Sequence, residues 1–394
     1  MKNGVIMVSY FLKSFVENQR QQELLETADR LAAKFKQRTE ETEETAQFSP
    51  ENLKDLKEVG YVTLPLPEKF GGAHINLSEL LLMQEKLAEG DGSAALSIGW
   101  HMGVVMELSE QQLWRQDQFE AFAHELGEKK LVVNRAASEP ATGSPTRGGI
   151  PETKAIRQDD QYIVNGRKTF TTMASVLDYY LVTAYIEEKE AVGSFLIPRD
   201  TPGVEVEHTW DTMAMRGTGS DDLVLKDVRL PEQALVEVNQ GKSSKPKGWL
   251  LHIPACYLGI AVAARNDAVT FAKNYQPNSL NTPISEVPHI KQKIGEMDLK
   301  LLQAHYFMYG VARKWDESPG SREQLGAELA AVKTSVTNTA NEVVDLALRI
   351  AGGRGLSKQY NFERYYRNVR AGLHNPPMDD MVLQMLAGKA LKSV

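Results

Sequence analysis

The feature that most constrains the fold is a change of hydrophobic period along the chain. In residues 23–36, Leu24, Leu25, Ala28, Leu31, Ala32 and Phe35 recur at helical spacing and share one face. From about Leu131 that spacing stops. Short β-rich runs follow at residues 131–133, 162–164, 179–183, 194–197 and 223–225, with turn residues between them. After a polar Gly/Lys/Ser/Pro connector at 241–247, helical spacing returns, and Ile290, Ile294, Met297 and Leu301 form one stripe. A further long helix is predicted over 322–351, closed by Gly352-Gly353. The order α, β, α predicts an α+β multidomain chain. It has an N-terminal helical domain over 1–130, a middle antiparallel β-domain over 131–240 and a C-terminal helical domain over 248–394.

Local signals refine the first third. Ser49-Pro50-Glu51 reads as a helix start, with Ser as N-cap and Pro in the first turn, and Gly60 closes that helix. Residues 66–72 form a loop, and Asn76 or Ser78 caps the next helix. A further helical stretch around 94–108 carries Trp100 and His101.

Composition excludes several classes. A net charge of −7 leaves no basic footprint for nucleic acid or anionic lipid. The one cysteine, Cys256, rules out an intrachain disulfide and a cysteine-based metal cluster, so no metal site is expected. Cys256 lies in an apolar helical run and reads as a buried, inert thiol. The apolar patch at residues 5–8 is broken by Ser9 and Lys13, too short for a membrane span. The expectation is an unexported, cytoplasmic protein with no membrane insertion.

Two pieces carry the chemistry. Residues 136–144, Ala-Ala-Ser-Glu-Pro-Ala-Thr-Gly-Ser, are a loop of small residues rich in hydroxyls and backbone N–H groups. Residues 162–172 read as a strand, an Asn165-Gly166 turn and a second strand ending in Phe170, Thr171 and Thr172. A flat heteroaromatic cofactor needs donors for its polar edge and an aromatic wall for its face, and these pieces supply both.

Taken in order, the motifs resemble the acyl-CoA dehydrogenase family of flavoproteins. Residues 66–72 are similar to the L-P-E-x-[FY]-G-G loop. Ser138-Glu139-Pro140-x-x-Gly143-Ser144 is similar to T-E-P-x-x-G-S, and Asn165-Gly166-x-Lys168-x-Phe170-x-Thr172 to N-G-x-K-x-W-I-T. Met215-Arg216-Gly217-Thr218 and Gly352-Gly353-x-Gly355 match two later motifs. The resemblance implies FAD, with FMN as the alternative, and a C-terminal four-helix bundle through which a tetramer or dimer assembles. It implies an acyl-CoA substrate, fatty acid metabolism, and an electron-acceptor flavoprotein or a flavin reductase as partner. Carried over, Ala137 and Ser138 bond the pyrimidine edge of the flavin. Phe170 stands beside the ring, and Thr172 bonds near N5. Ser144 lies at the mouth of the substrate channel. Gly352 and Gly353 let a neighbouring subunit's diphosphate approach the backbone, and Arg349, in place of the usual Gln, pairs with it. Trp100 is a candidate wall of the substrate pocket, with core packing as the alternative. Arg216 reads as a loop anchor.

The pattern breaks at the base. The resemblance implies a carboxylate that takes the α-proton while hydride leaves for the flavin. Asn375 stands where most members have that Glu, and Trp249 stands at the position used by others. Asp379 and Asp380 lie a helical turn beyond Asn375 and are poor substitutes. His374 remains as a candidate proton-transfer group, since imidazole titrates near neutrality. Leu373-His374-Asn375-Pro376 is also similar to the L-H-D-P of two-component flavin monooxygenases, whose His supports a flavin hydroperoxide. Tyr275 and Pro288 replace an Arg and a Gln that usually reach the partner's FAD. Three functions therefore stand: an α,β-dehydrogenase of acyl-CoA thioesters, a flavin monooxygenase using His374, and a flavin- or acyl-CoA-binding protein without turnover.

Overall fold

A computed structural model describes residues 10–142, 149–239 and 245–392. Seven helices come first: α1 (Tyr10–Lys13), α2 (Gln19–Lys36), α3 (Thr39–Thr45), α4 (Pro50–Glu58), α5 (Leu77–Gly90), α6 (Gly92–Glu110) and α7 (Gln116–Lys129). The caps predicted from sequence form. The Ser49 hydroxyl accepts from the Asn52 N–H at the start of α4. Asn76 and Glu79 make a reciprocal capping box on α5, which satisfies two N–H groups that the helix itself cannot pair. Both α5 and α6 are buried on nearly all sides; α6 reads largely apolar around its circumference, whereas α5 also buries Glu79, Gln84, Glu85 and Lys86.

The middle region is one sheet of β1 (Val133–Ala136), β2 (Lys154–Gln158), β3 (Gln161–Lys168), β4 (Tyr179–Ile186), β5 (Ala191–Pro198), β6 (Val204–Glu207), β7 (Asp222–Pro231) and β8 (Leu235–Asn239). Its order is β6-β7-β3-β2-β4-β5-β8, with β1 paired to β4. The sheet is mixed rather than purely antiparallel, because β1 and β2 both run parallel to β4. Such pairs need a crossover instead of a hairpin. The chain leaves β1 through the 137–142 loop and returns to β4 only after β2 and β3.

The predicted Asn165-Gly166 hairpin turn does not form. Residues 161–168 are a single strand whose register against β7 slips between Val164 and Gly166, a β-bulge. Gly166 is needed there because a Cβ would fall 2.3 Å from Thr153 Oγ1 and 2.6 Å from its Cα. Asn165 is pinned across the bulge by Asp227, whose N–H donates to Asn165 Oδ1 at 2.7 Å. Phe170, Thr171 and Thr172 lie in the loop beyond this strand, with Phe170 at φ +55°.

The last region holds α8 (His252–Asn274), α9 (Pro288–Glu317), α10 (Gly326–Ala351), α11 (Phe362–Ala371) and α12 (Asp379–Lys392). The helix predicted from 322 instead opens on a 3-10 turn, Pro319–Leu325, and α10 begins at Gly326. Helix α8 packs on both α5 and α10, so the first and last helical regions share one core. That position explains its composition. The stretch Gly248–Asn274 is long and apolar enough to cross a membrane, but 89% of its most apolar window is buried in this fold.

Candidate active site

The loop after β1 is locked to the loop after β3. The Thr169 N–H donates to the Ser138 carbonyl at 2.9 Å. Beside it, Lys168 Nζ and Glu139 Oε1 are 2.5 Å apart with both side chains out of solvent. Glu139 also accepts from the N–H groups of Glu152 (2.6 Å) and Thr153 (3.1 Å). Burial draws the Glu139 carboxyl upward, but Lys168 and these N–H groups outweigh it and hold it below the usual carboxylate range. The motifs name both residues, yet the sequence reading assigned them no role.

Around this lock stand the expected cofactor residues. Ala137 and Ser138 are half-buried, and Phe170 is 64% exposed with its edge toward Trp210 at 5.8 Å. Asn134 Nδ2 donates to the Thr172 carbonyl at 3.2 Å. The Thr172 hydroxyl shares a 2.9 Å hydrogen bond with Ser220, which in turn shares one of 2.8 Å with Thr218. The Thr171 hydroxyl is buried and unpaired. An accessible aromatic face beside a polar loop fits a flat heteroaromatic ring. Ser144 lies outside the described residues.

A relay missing from the sequence reading ties this cradle to the far end of the chain. Thr218 Oγ1 donates to the Met215 carbonyl at 2.9 Å, and the Met215 N–H donates to Asn368 Oδ1 at 2.8 Å. Asn368 lies on α11, the helix that delivers His374 and Asn375. His374 is exposed, and Asn375 is half-buried with its Oδ1 accepting from the Tyr257 hydroxyl at 2.6 Å. Tyr257 itself is fully buried on α8. Asp379 is engaged elsewhere, accepting from Thr334 Oγ1 and Asn338 Nδ2 and lying 3.6 Å from Lys333 Nζ.

Neighbours of both expected base positions, though neither Trp249 nor Asn375 itself, line one cavity of about 110 Å³. Leu250 and Leu251, next to Trp249, line one side, and Pro376 and Pro377, next to Asn375, line another. Lys333 also lines it; its Nζ is buried without a hydrogen-bond partner. Burial lowers this ammonium below its ordinary value, against the pull of Asp379. Trp249 is nearly buried, and Trp100 is half-buried edge-on to it at 5.9 Å.

Other residues fall where their types predict. His101 is buried, its ring bonded to the Val62 carbonyl (2.9 Å) and to Val133, and burial lowers it to about 4. Arg216 holds the Glu43 and Thr212 carbonyls, as a loop anchor would. Cys256 is buried, and burial pushes its thiol up. Arg349 is exposed and paired with Asp345. Gly352 has φ +59°, and a Cβ on either Gly352 or Gly353 would meet nothing within 4 Å. That glycine pair faces open space on the outside of this chain. Among the described residues no cluster of His, Cys, Asp and Glu could hold a metal ion.

The three-part architecture and this cradle define a class, and the comparisons agree with it. Family models for the acyl-CoA dehydrogenase N-terminal, middle and C-terminal domains match residues 18–112, 134–228 and 251–373. YdbM of Bacillus subtilis (strain 168), provisionally named an acyl-CoA dehydrogenase, is 51% identical over 96% of this chain and 99% of its own. The caffeyl-CoA reductase-Etf complex subunit CarC of Acetobacterium woodii is 27% identical over 90% of this chain and 93% of its own. The chain belongs to the acyl-CoA dehydrogenase family. In fold it is similar to butyryl-CoA dehydrogenase from Megasphaera elsdenii, with TM-score 0.84, 23% identity and 95% and 99% of the two chains covered. It is equally similar to FMN-bound TdsC from Paenibacillus sp. A11-2, with TM-score 0.86, 22% identity and 94% and 98% covered.

Proposed function

We propose that this protein is an FAD-dependent oxidoreductase acting on the CH–CH bond next to an acyl-CoA thioester. The observation that carries the reading is the lock between Ser138-Glu139 and Lys168-Thr169, which presents Phe170 and Thr172 at a polar loop. When bound, the flavin supplies the two-electron acceptor. The chain's own residues do the rest. Backbone N–H groups at 137–138 hold the polar edge of the ring, Phe170 covers it, and the Thr172–Ser220–Thr218 hydroxyls fix its central edge. Gly352 and Gly353 receive the diphosphate of a neighbouring subunit's cofactor, with Arg349 beside them.

Asn375 orients rather than deprotonates. Its Oδ1 is taken by Tyr257, so its amide N–H groups are the end turned to donate, and they polarise the thioester carbonyl. His374, the adjacent exposed imidazole, receives the substrate proton. Exposed Tyr306, Leu356 and Leu391 lie on the last helical region, where a homo-oligomer would bury them. A partner flavoprotein takes the electrons onward, and the protein works in the cytoplasm.

The test is anaerobic titration of the FAD-loaded protein with acyl-CoAs of increasing chain length. Loss of the oxidised-flavin absorbance is expected with at least one of them. If no thioester bleaches it, the reading fails. Substrate oxygenation by pre-reduced protein in air, lost in His374→Ala, would then favour the monooxygenase alternative.

A further inference from the structure

Aromatic rings close the interface between α6 and α8. Residues 248–251 form a 3-10 turn that runs into α8. In that geometry side chains three apart stand above one another. Trp249 and His252 accordingly stack, with ring centroids 5.8 Å apart and an interplanar angle of 16°. Trp100, on α6, stands edge-on to both, 5.9 Å from Trp249 and 4.9 Å from His252. Trp249 is only 6% exposed and His252 is completely buried. Burial lowers His252 to about 3, so it packs as a neutral ring.

The opposing helix is shaped to receive these rings. A Cβ at Gly103 would fall 2.0 Å from Trp249 Cε3, and one at Gly99 would fall 2.2 Å from His252 Nδ1. The two glycines lie four residues apart on α6 and so share one face of it. Each ring therefore rests directly on helix backbone. Glycine weakens a helix interior, but even alanine at either position would push a ring from its seat. The indole fills the gap between α6 and α8 where it lies.

The place of this ring gives it a consequence for the substrate. The resemblance puts Trp249 at one of the two positions for the carboxylate that takes the α-proton. A base has to come within about 3 Å of its proton, so that position adjoins the reacting carbons. An acyl tail that runs from those carbons towards α6 meets the indole within a few methylenes.

We infer that Trp249, seated on Gly103 and backed by His252, is a specificity-determining residue that stops the acyl tail and restricts the substrate to short-chain acyl thioesters. The inference rests on the thioester reading above and narrows it to one class of chain. In an open apolar channel each methylene removed from water tightens binding about fourfold. Against a seated indole that gain ends, because forcing carbons into a filled core is unfavourable.

The experiment measures the FAD-loaded protein against butanoyl-, hexanoyl-, octanoyl- and dodecanoyl-CoA, by calorimetric binding and by the rate of flavin bleaching. In the parent protein dodecanoyl-CoA is expected to bind no more than about twofold tighter than hexanoyl-CoA, and to bleach the flavin more slowly. Trp249→Ala opens the space of the indole, and dodecanoyl-CoA should then bind at least about tenfold tighter than hexanoyl-CoA. Free indole added to Trp249→Ala should abolish that gain by refilling the cavity, which a merely loosened fold would not show. Trp249→Leu keeps more of the packing and serves if Trp249→Ala does not fold; it should extend the gain to octanoyl-CoA. A parent affinity that keeps climbing from hexanoyl- to dodecanoyl-CoA, or a profile in the variants no steeper than the parent's, overturns the inference. Failure of the thioester reading is separate, since then no thioester of any length bleaches the flavin.

Discussion

The middle-domain cradle and the edge at residues 374–377 are built on opposite principles. The cradle is held by paired groups inside one sheet: Glu139 with Lys168, Ser138 with Thr169, Asn165 with Asp227. Removing either member of the Glu139–Lys168 pair leaves the other buried and unpaired, at the full desolvation cost. The edge carries a long-range hydrogen bond that joins Tyr257 to Asn375, residues 118 apart in sequence. Its side chains are half-buried or exposed, so identity there is free to change without unfolding anything. On the proposed reading, the cradle is under strong physical constraint while the residue at position 375 is free to be Asn.

The sharpest test of this contrast is Lys168→Met. It leaves Glu139 charged and enclosed, and should cost about 3–5 kcal/mol in urea unfolding. Lys168→Met combined with Glu139→Gln should recover part of that loss. A single variant as stable as the parent would show that the pair does not hold the cradle. At the edge, Asn375→Glu should barely alter stability but change chemistry. A carboxylate there should speed flavin bleaching by acyl-CoA about 100-fold, as a positioned base does. An unchanged rate would mean the proton leaves by another route, and His374→Ala should then be the slow variant. Tyr257→Phe removes one hydrogen bond from the same edge and should cost about 1 kcal/mol.

How much of this was legible depends on whether a feature is periodic or long-range. The α, β, α order follows from spacing, and the caps at Ser49 and Asn76 follow from local chemistry, so both are readable from sequence alone. The strand at 161–168 was misread at Asn165-Gly166 because that dipeptide serves bulges as well as hairpins. The deciding atom belongs to Thr153, just before the neighbouring strand β2. Glu139 and Lys168 were both quoted within motifs, but nothing local says that they meet. The relay from Thr172 through Thr218 to Asn368 joins two domains and leaves no local trace.

Gly353→Leu separates the outer glycine turn from both regions. A side chain there meets nothing in this chain, so thermal stability of the flavin-free protein should move by no more than about 0.5 kcal/mol. Flavin retention on gel filtration should fall if a neighbouring subunit's cofactor lies against that backbone. Unchanged retention would remove the glycines from the site.

The smallest expected effects are pH arms that distinguish the cradle's pair from one between helices. Glu139 is held below its ordinary value of 4.5, so its contribution is present above that pH and is lost as pH falls through the lower folded value. His305, on α9, is completely buried 2.7 Å from Glu85 on α5. Burial alone would lower it, but the charge and hydrogen bond of Glu85 reverse this and raise it above 6.5. Its contribution is therefore complete below 6.5 and is lost as pH rises through the raised folded value. Glu139→Gln should flatten the acid side of the stability profile and leave the alkaline side. His305→Gln should do the reverse. If both variants flattened the same side, the two buried pairs would not be independent, and the separation of cradle from helical core would fail with them.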